Sequence, residues 1–425
     1  GCGAAFASLM VDEDTSVTQV VVGRDMRPSG VDLVAAFNEG VVSQGLDVIS
    51  VGLASTDLVY FAAGVLNAPG AVFTASHNPA QYNGIKLCRA GAAPIGEDSG
   101  LADIKRLAAG DLPAAGHTGE VSDRDMLGDF SAHVLSFIDV DVLRPLKIVA
   151  DTANGMGGLV VPAVFDHLPF DLEILYPELD GTFPNHPADP LNLDNLVDLR
   201  ARVLDSGADL GLAFDGDADR VFLVDEHAEP VSGSLTTAIV AAGMLHKHAG
   251  ASIIYNLICS KTVPEVVGEL GGTAIRSRVG HSFIKQLMAE TGAVFGGEHS
   301  GHYYFKANYR ADSGILAMLV LLQLLSEDGR PLSEIRKGFE PYVQSGEINF
   351  QVHDQAASTE AVIAAFDGEK DNLDGLTLSW DDHWFNLRPS NTEPVLRLNV
   401  EAPDRDRVDE LVARVRGVLE VGGGV

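Results

Sequence analysis

The chain is poor in cysteine, in positive charge and in long apolar runs, and each shortage removes a class of protein. Its three cysteines, Cys2, Cys88 and Cys259, show neither pairing nor metal-ligand spacing, which excludes a disulfide-framed fold and a cysteine zinc centre. The expectation is three buried thiols in a reducing cytoplasm. Lys and Arg total 29 against 60 Asp and Glu, a formal charge of -31. A surface of that sign does not suit nucleic acid or an anionic membrane, so any anionic ligand must be met by a local basic site. No apolar stretch approaches the ~18 residues needed to cross a bilayer. The opening Gly1 to Met10 has no basic n-region and reads as the tail of a helix rather than a signal peptide.

What is present is an ordinary globular composition, 46% hydrophobic and 21% charged. A length of 425 residues suggests roughly three domains at about 150 residues each. The pattern gives four. Short strand-like runs alternate with helical stretches (TQVVVGRD, a helix near 31–44, LDVISVG, AVFTASHNP, GIKLC), which is the signature of an α/β unit. The alternation restarts after Pro145 with KIVADTANG and again after about Pro230 with SIIYN. From about Glu347 adjacent strands replace the alternation, predicting a small α+β unit with antiparallel pairing. The expected boundaries are 1–143, 144–229, 230–342 and 343–425.

Each unit carries a polar cluster. In the first, Ala71 to Phe73 break into Thr74-Ala75-Ser76-His77-Asn78-Pro79, and Pro79 forces the chain out of the sheet, placing the Ser76 hydroxyl at a strand's end. Lys86 follows ten residues later, and Gly23 to Gly30 add Arg24 and Arg27 after another strand. The second unit has Asp215, Asp217 and Asp219 at alternate positions, followed by Arg220. Three carboxylates so close favour a hard divalent cation, Mg2+ or Ca2+. An EF-hand is the rival, since Glu226 falls at loop position twelve, but Arg220 occupies the position that needs glycine. A solvated acidic turn is the other. The third unit displays Glu298, His299, Ser300 and His302 on a glycine-rich turn, groups able to hold vicinal hydroxyls and move a proton, or simply a polar turn. In the fourth, Arg388, Ser390, Asn391 and Thr392 sit between prolines, a phosphate cradle or a polar hairpin loop.

In this order, and spread over four units, TASHNP, NGIK, DGDADR, GGEHSGH and RPSNTEP resemble the α-D-phosphohexomutases, above all bacterial phosphomannomutase/phosphoglucomutase. The resemblance covers nearly the whole chain. It implies four domains around a central cleft, three of like α/β topology and a C-terminal α+β domain. It implies interconversion of hexose 6-phosphate and hexose 1-phosphate, with a small-molecule sugar phosphate as partner. Position by position, it makes Ser76 the phosphoserine and Asp215, Asp217 and Asp219 the Mg2+ ligands about its phosphate, supported by Arg220. Lys86 and His302 are similar to proton-transfer residues. Glu298 and Ser300 resemble groups that grip sugar hydroxyls, and Arg388, Ser390, Asn391 and Thr392 the cradle for the nonreacting phosphate. Arg24, His281 and Lys261 are further binding positions.

The mechanism implied is phosphoryl transfer from Ser76 to the sugar, a hexose 1,6-bisphosphate that turns over in the cleft, and return of the other phosphoryl, with the fourth unit closing as a lid. Two departures stand out. The family begins with a strand and an Arg-Gly segment that nothing before Gly1 supplies, so an N-terminal segment is expected to be missing. His299 occupies a position that varies with sugar preference, and histidine there resembles actinobacterial phosphomannomutases, favouring mannose phosphate over glucose or glucosamine phosphate. A phosphatase and a nonenzymatic sugar-phosphate sensor are the rival readings. Oligomeric state stays open between monomer and dimer.

Overall fold

A computed structural model describes residues 1–390 and 395–421. Three of its four sheets are built on one plan. In the first, strand Gln19–Arg24 pairs in parallel with Asp47–Leu53 and Gly70–Phe73, and Ile85–Arg89 adds antiparallel to the last. The second repeats this with Lys147–Asp151 between Asp171–Leu175 and Leu210–Phe214, then Val221–Asp225 antiparallel. The third repeats it again with Ser252–Asn256 between Thr273–Ser277 and Phe295–Gly297, then Tyr303–Phe305 antiparallel. In each unit the spatial order is second, first, third, fourth.

The order follows from connection length. Parallel neighbours need crossovers, and helices Gly30–Ser43 and Thr56–Val65 supply them in the first unit, Gly157–Phe165 and Val197–Ser206 in the second, Thr262–Glu269 and His281–Thr291 in the third. The third and fourth strands are antiparallel, so a short loop joins them. That loop leaves at the carboxyl end of the third strand, where crevices of open α/β sheets lie. Ser76, Asp215 to Arg220, and Glu298 to His302 all sit on this same loop of their units.

The remaining sheet is antiparallel: Val395–Ala402 pairs with both Val343–Gln344 and Ile348–Gln351 on one side, then Trp384–Pro389, Leu376–Ser379 and Glu369–Asp371 follow on the other. Helices Gln355–Ala365 and Arg405–Val421 belong to this unit. The chain is therefore three α/β units and one α+β unit.

Two helices are apolar nearly all round and pass through the interior, Gly233–Lys247 and Gly314–Asp328. Ser232 and Ser313 cap them by accepting from the backbone N–H of Leu235 and Leu316. Packing rather than an amphipathic stripe holds them, since each fully buried Leu, Ile or Met contributes about 1.5–3 kcal/mol. Gly207, with φ +63°, ends Val197–Ser206 in the left-handed cap that glycine takes without strain.

One expectation needs correction. Cys88 and Cys259 are buried, but Cys2 is exposed, because it opens helix Cys2–Glu13 on its outer side. The rival EF-hand reading is excluded at Asp215 to Glu226, since strands rather than helices flank that loop. Among the described residues no helix is long and apolar enough to cross a membrane.

Candidate active site

Ser76 adopts φ +49°, a left-handed conformation uncommon for a residue with a side chain. Its N–H donates to Thr74 Oγ1 at 2.9 Å. Its hydroxyl donates to Asp215 Oδ2 at 2.6 Å and accepts from Arg220 Nη2 at 3.1 Å, so the second unit holds the serine of the first. Close approach makes this possible. A Cβ on Gly216 would lie 2.5 Å from the Ser76 carbonyl oxygen, so only glycine fits there. His77 Nδ1 stands 3.4 Å from the hydroxyl, and burial with Arg220 pushes that imidazole down to about 4, leaving it neutral.

Asp215, Asp217 and Asp219 are fully buried and bring oxygens within 4.8 Å of one another. Burying three carboxylates demands compensation. Part comes from Arg220, whose Nε is 2.9 Å from Asp215 Oδ2, and part from Lys86, whose Nζ is 2.7 Å from Asp217 Oδ2 and 2.5 Å from Asp219 Oδ2. Thr56 Oγ1 donates to Asp217 as well. Against the cost of burial, Lys86 and Thr56 hold Asp217 below the ordinary carboxylate range, whereas burial and the Asp217 charge push Asp219 well above it. Burial opposes the Lys86 charge, yet Asp217 and Asp219 outweigh it and raise its pKa. Asp217 Oδ1 and Asp219 Oδ1 remain buried without a hydrogen-bond partner. Two orphaned oxygens in an all-oxygen cluster fit a hard divalent cation.

The third unit meets this cluster through a backbone bridge between Arg220 and His302. His302 Nε2 lies 3.9 Å from Asp219 Oδ1, and its Nδ1 pairs with Ser300 Oγ at 2.9 Å. Burial and Arg220 push its pKa well below the usual value, so it is a neutral imidazole. Glu298 is buried, accepting from Tyr304 at 2.6 Å, Asn256 at 3.0 Å and Gly280 N–H at 3.2 Å. The His299 ring faces Ser234 Oγ at 2.9 Å.

In the fourth unit Arg388 stands 3.6 Å from both Glu347 and Asp374. Asp374 also accepts from Val279 N–H at 3.1 Å, which links this arginine to the third unit beside Gly280. Ser390 N–H donates to the Val395 carbonyl at 2.9 Å. Asn391 and Thr392 lie outside the described residues. His281 is exposed at the start of helix His281–Thr291. Arg24 Nη1 donates to the Asp25 carbonyl at 3.0 Å. Lys261 Nζ donates to the Asp381 carbonyl at 2.6 Å, at the seam between the third and fourth units.

Sequence reasoning passed over Thr56, Asp312 and Lys285. Asp312 lies within ligand distance of Asp219 and His302, and Lys285 Nζ is 2.7 Å from Asp312 Oδ1 and 4.0 Å from the Tyr60 ring centroid. Nothing near them in the chain marks them. Their partners lie 10 to 225 residues away in the chain.

Four family models match in order: phosphoglucomutase/phosphomannomutase alpha/beta/alpha domains I, II and III over residues 2–111, 129–229 and 232–342, and the C-terminal domain over 347–418. The chain is 40% identical over 418 residues to a phosphomannomutase of Salmonella montevideo, covering 95% of this chain and 91% of that one. It is 38% identical to a phosphomannomutase of Methanocaldococcus jannaschii, covering 94% and 90%. A phosphoglucomutase/phosphomannomutase family protein of Burkholderia thailandensis superposes with a TM-score of 0.90 at 32% identity, covering 99% and 93%. Fold and likeness together define an isomerase that moves a phosphoryl group within its substrate. The chain belongs to the phosphoglucomutase/phosphomannomutase family and is a phosphohexomutase.

Proposed function

We propose that the chain interconverts mannose 6-phosphate and mannose 1-phosphate with Ser76 as phosphoryl carrier. The observation that carries this is the setting of the Ser76 hydroxyl, shared between Asp215 and Arg220 at the junction of two units. A serine meant only to turn the chain needs neither partner.

Asp215, Asp217 and Asp219 would hold Mg2+ together with an oxygen on Ser76, and the ion would neutralise charge on the moving phosphoryl group. Arg220, already at the Ser76 oxygen, adds fixed positive charge there. The sugar hydroxyl attacks phosphorus as the bond to Ser76 Oγ breaks, and its proton passes to the neutral His302. Lys86, held cationic between Asp217 and Asp219, offsets the accumulated negative charge. The hexose 1,6-bisphosphate so formed turns over and returns its other phosphoryl to Ser76. Glu298 and Ser300 would bind sugar hydroxyls, with His281, Lys261 and Arg24 placed around them. Arg388, Ser390, Asn391 and Thr392 would cradle whichever phosphate is not reacting. The linkage from Arg388 through Asp374 and Val279 to the Glu298 loop suits a fourth unit that closes on the ligand.

The mannose preference is supported by the names of the relatives and by histidine at 299. Comparing mannose, glucose and glucosamine 1-phosphates, each with Mg2+ and a trace of its 1,6-bisphosphate, tests the reading by coupled detection of the 6-phosphate. The expected result is the highest kcat/KM for mannose 1-phosphate. Conversion of none of the three would sink the reading, and a glucose preference would move the assignment to phosphoglucomutase.

A further inference from the structure

The Ser76 loop is gripped from behind by a residue that touches neither its hydroxyl nor the carboxylate cluster. Arg27 is fully buried, and all five of its guanidinium N–H donors are used. Nη2 donates to the carbonyls of Ser76 at 2.8 Å and Asn78 at 2.7 Å. Nη1 donates to those of Pro79 at 2.8 Å and Tyr82 at 3.1 Å. Nε donates to Asp25 Oδ2 at 3.0 Å, and the Arg27 N–H donates to Asp25 Oδ1 at 2.9 Å. One planar fork therefore ties four carbonyls of a single loop to Asp25, just past strand Gln19–Arg24, which pairs with the strand that leads into the loop.

The second unit closes the other side. The Phe183 ring lies 5.0 Å from the guanidinium carbon, a cation–π contact, and a Cβ on Gly181 would come within 2.5 Å of Arg27 Cα. Arg27 is thus fixed from three directions before it fixes anything itself.

We propose that Arg27 is a positioning residue that imposes the left-handed backbone of Ser76 and so aims its oxygen. A non-glycine residue stays at φ +49° only where its surroundings over-determine it. Here the Ser76 carbonyl is clamped between Arg27 Nη2 and the Gly216 backbone. The grip acts on carbonyls alone, so it is indifferent to whether Oγ is free or esterified. That is the property a residue cycling between hydroxyl and phosphoester requires, and in this respect the inference rests on the reading of Ser76 as carrier. Lysine cannot replace it, because a single ammonium offers three donors from one point and no fork.

The test compares the full chain with Arg27→Lys. The expected result is a kcat about 100-fold lower with KM within about threefold of the parent, because misplacing a reacting atom costs rate without touching the sugar site. The phosphorus resonance of phosphorylated Ser76 should shift and broaden in the variant. A parental kcat, or equal losses in KM and thermal stability that account for the rate, would overturn the proposal. If Arg27→Lys does not fold, Phe183→Leu removes the ring over the guanidinium while keeping apolar bulk. It must then show the same split, and a parental kcat overturns the proposal. Failure of the parent itself to take phosphate on Ser76 is a different result, which sinks the carrier reading.

Discussion

Ser76 Oγ donates to Asp215 Oδ2 across 2.6 Å, and the two residues occupy the same loop, third strand to fourth, of two topologically equivalent units. The third unit brings its own copy of that loop to the same place through the Arg220 to His302 bridge. One structural element used three times supplies the hydroxyl, the carboxylates and the imidazole. Ser76→Ala should therefore lower turnover by on the order of a thousandfold or more, the scale seen when a nucleophile is lost. Mannose 6-phosphate binding, measured calorimetrically, should stay within about threefold, since Ser76 is not asked to hold the sugar. Unchanged turnover would remove Ser76 as carrier.

Lys86 stands where it compensates carboxylates that a cation would also compensate. In chelator, Lys86→Gln leaves Asp217 and Asp219 without their ammonium and should cost about 2–3 kcal/mol, the scale for breaking a buried pair discounted for partial exposure. Added Mg2+ should then raise Tm more in the variant than in the parent, because it replaces a charge that the parent already has. Equal shifts in both proteins would contradict this arrangement.

Arg388 is proposed to meet either phosphate of the substrate in turn. Arg388→Ala should raise KM for mannose 1-phosphate and mannose 6-phosphate alike, by about 10–100-fold for a lost charge-assisted pair. An effect confined to one of them, read from forward and reverse rates, would show that the cradle is not shared.

Asp57 gives a pH dependence that can be isolated. Its carboxyl is fully buried between Ser55 and Ser313, joining the first unit to the third, and burial pushes it up to about 7. Its unfolded value is about 4. Between those values the folded chain keeps a proton that the unfolded chain has lost, so stability falls as pH rises from 4 through 7 and is level above. The full effect is about 4 kcal/mol. Asp57→Asn should flatten that slope, measured as the urea midpoint at pH 5 and pH 8. The same slope in both proteins would assign it to other groups.

The fold was legible because each unit announces itself in the chain. Apolar runs of four to six residues alternate with helical stretches, and the shift to adjacent strands near Glu347 marks the antiparallel unit. The strands Val343–Gln344 and Glu369–Asp371 were not seen, being two and three residues long. Of the candidate site, polar clusters that break a strand were visible, since Ser76, the Asp215 to Arg220 run and the Glu298 to His302 turn each interrupt an apolar run. What stayed hidden depends on contacts between distant segments. Arg24 and Arg27 looked equivalent three residues apart, yet one guanidinium rests on an adjacent carbonyl while the other is buried beneath the serine loop. Lys285 and Asp312 look like any helical lysine and loop aspartate until the fold pairs them.

The central claim is that a phosphoryl group resides on Ser76 between two halves of a reaction. Incubating the full chain with phosphorus-labelled mannose 1,6-bisphosphate and Mg2+, then mapping peptides, tests it most directly. Label should appear on Ser76 and leave as sugar bisphosphate when unlabelled mannose 6-phosphate is added. A chain that isomerises mannose phosphate with no label on Ser76 would contradict the account.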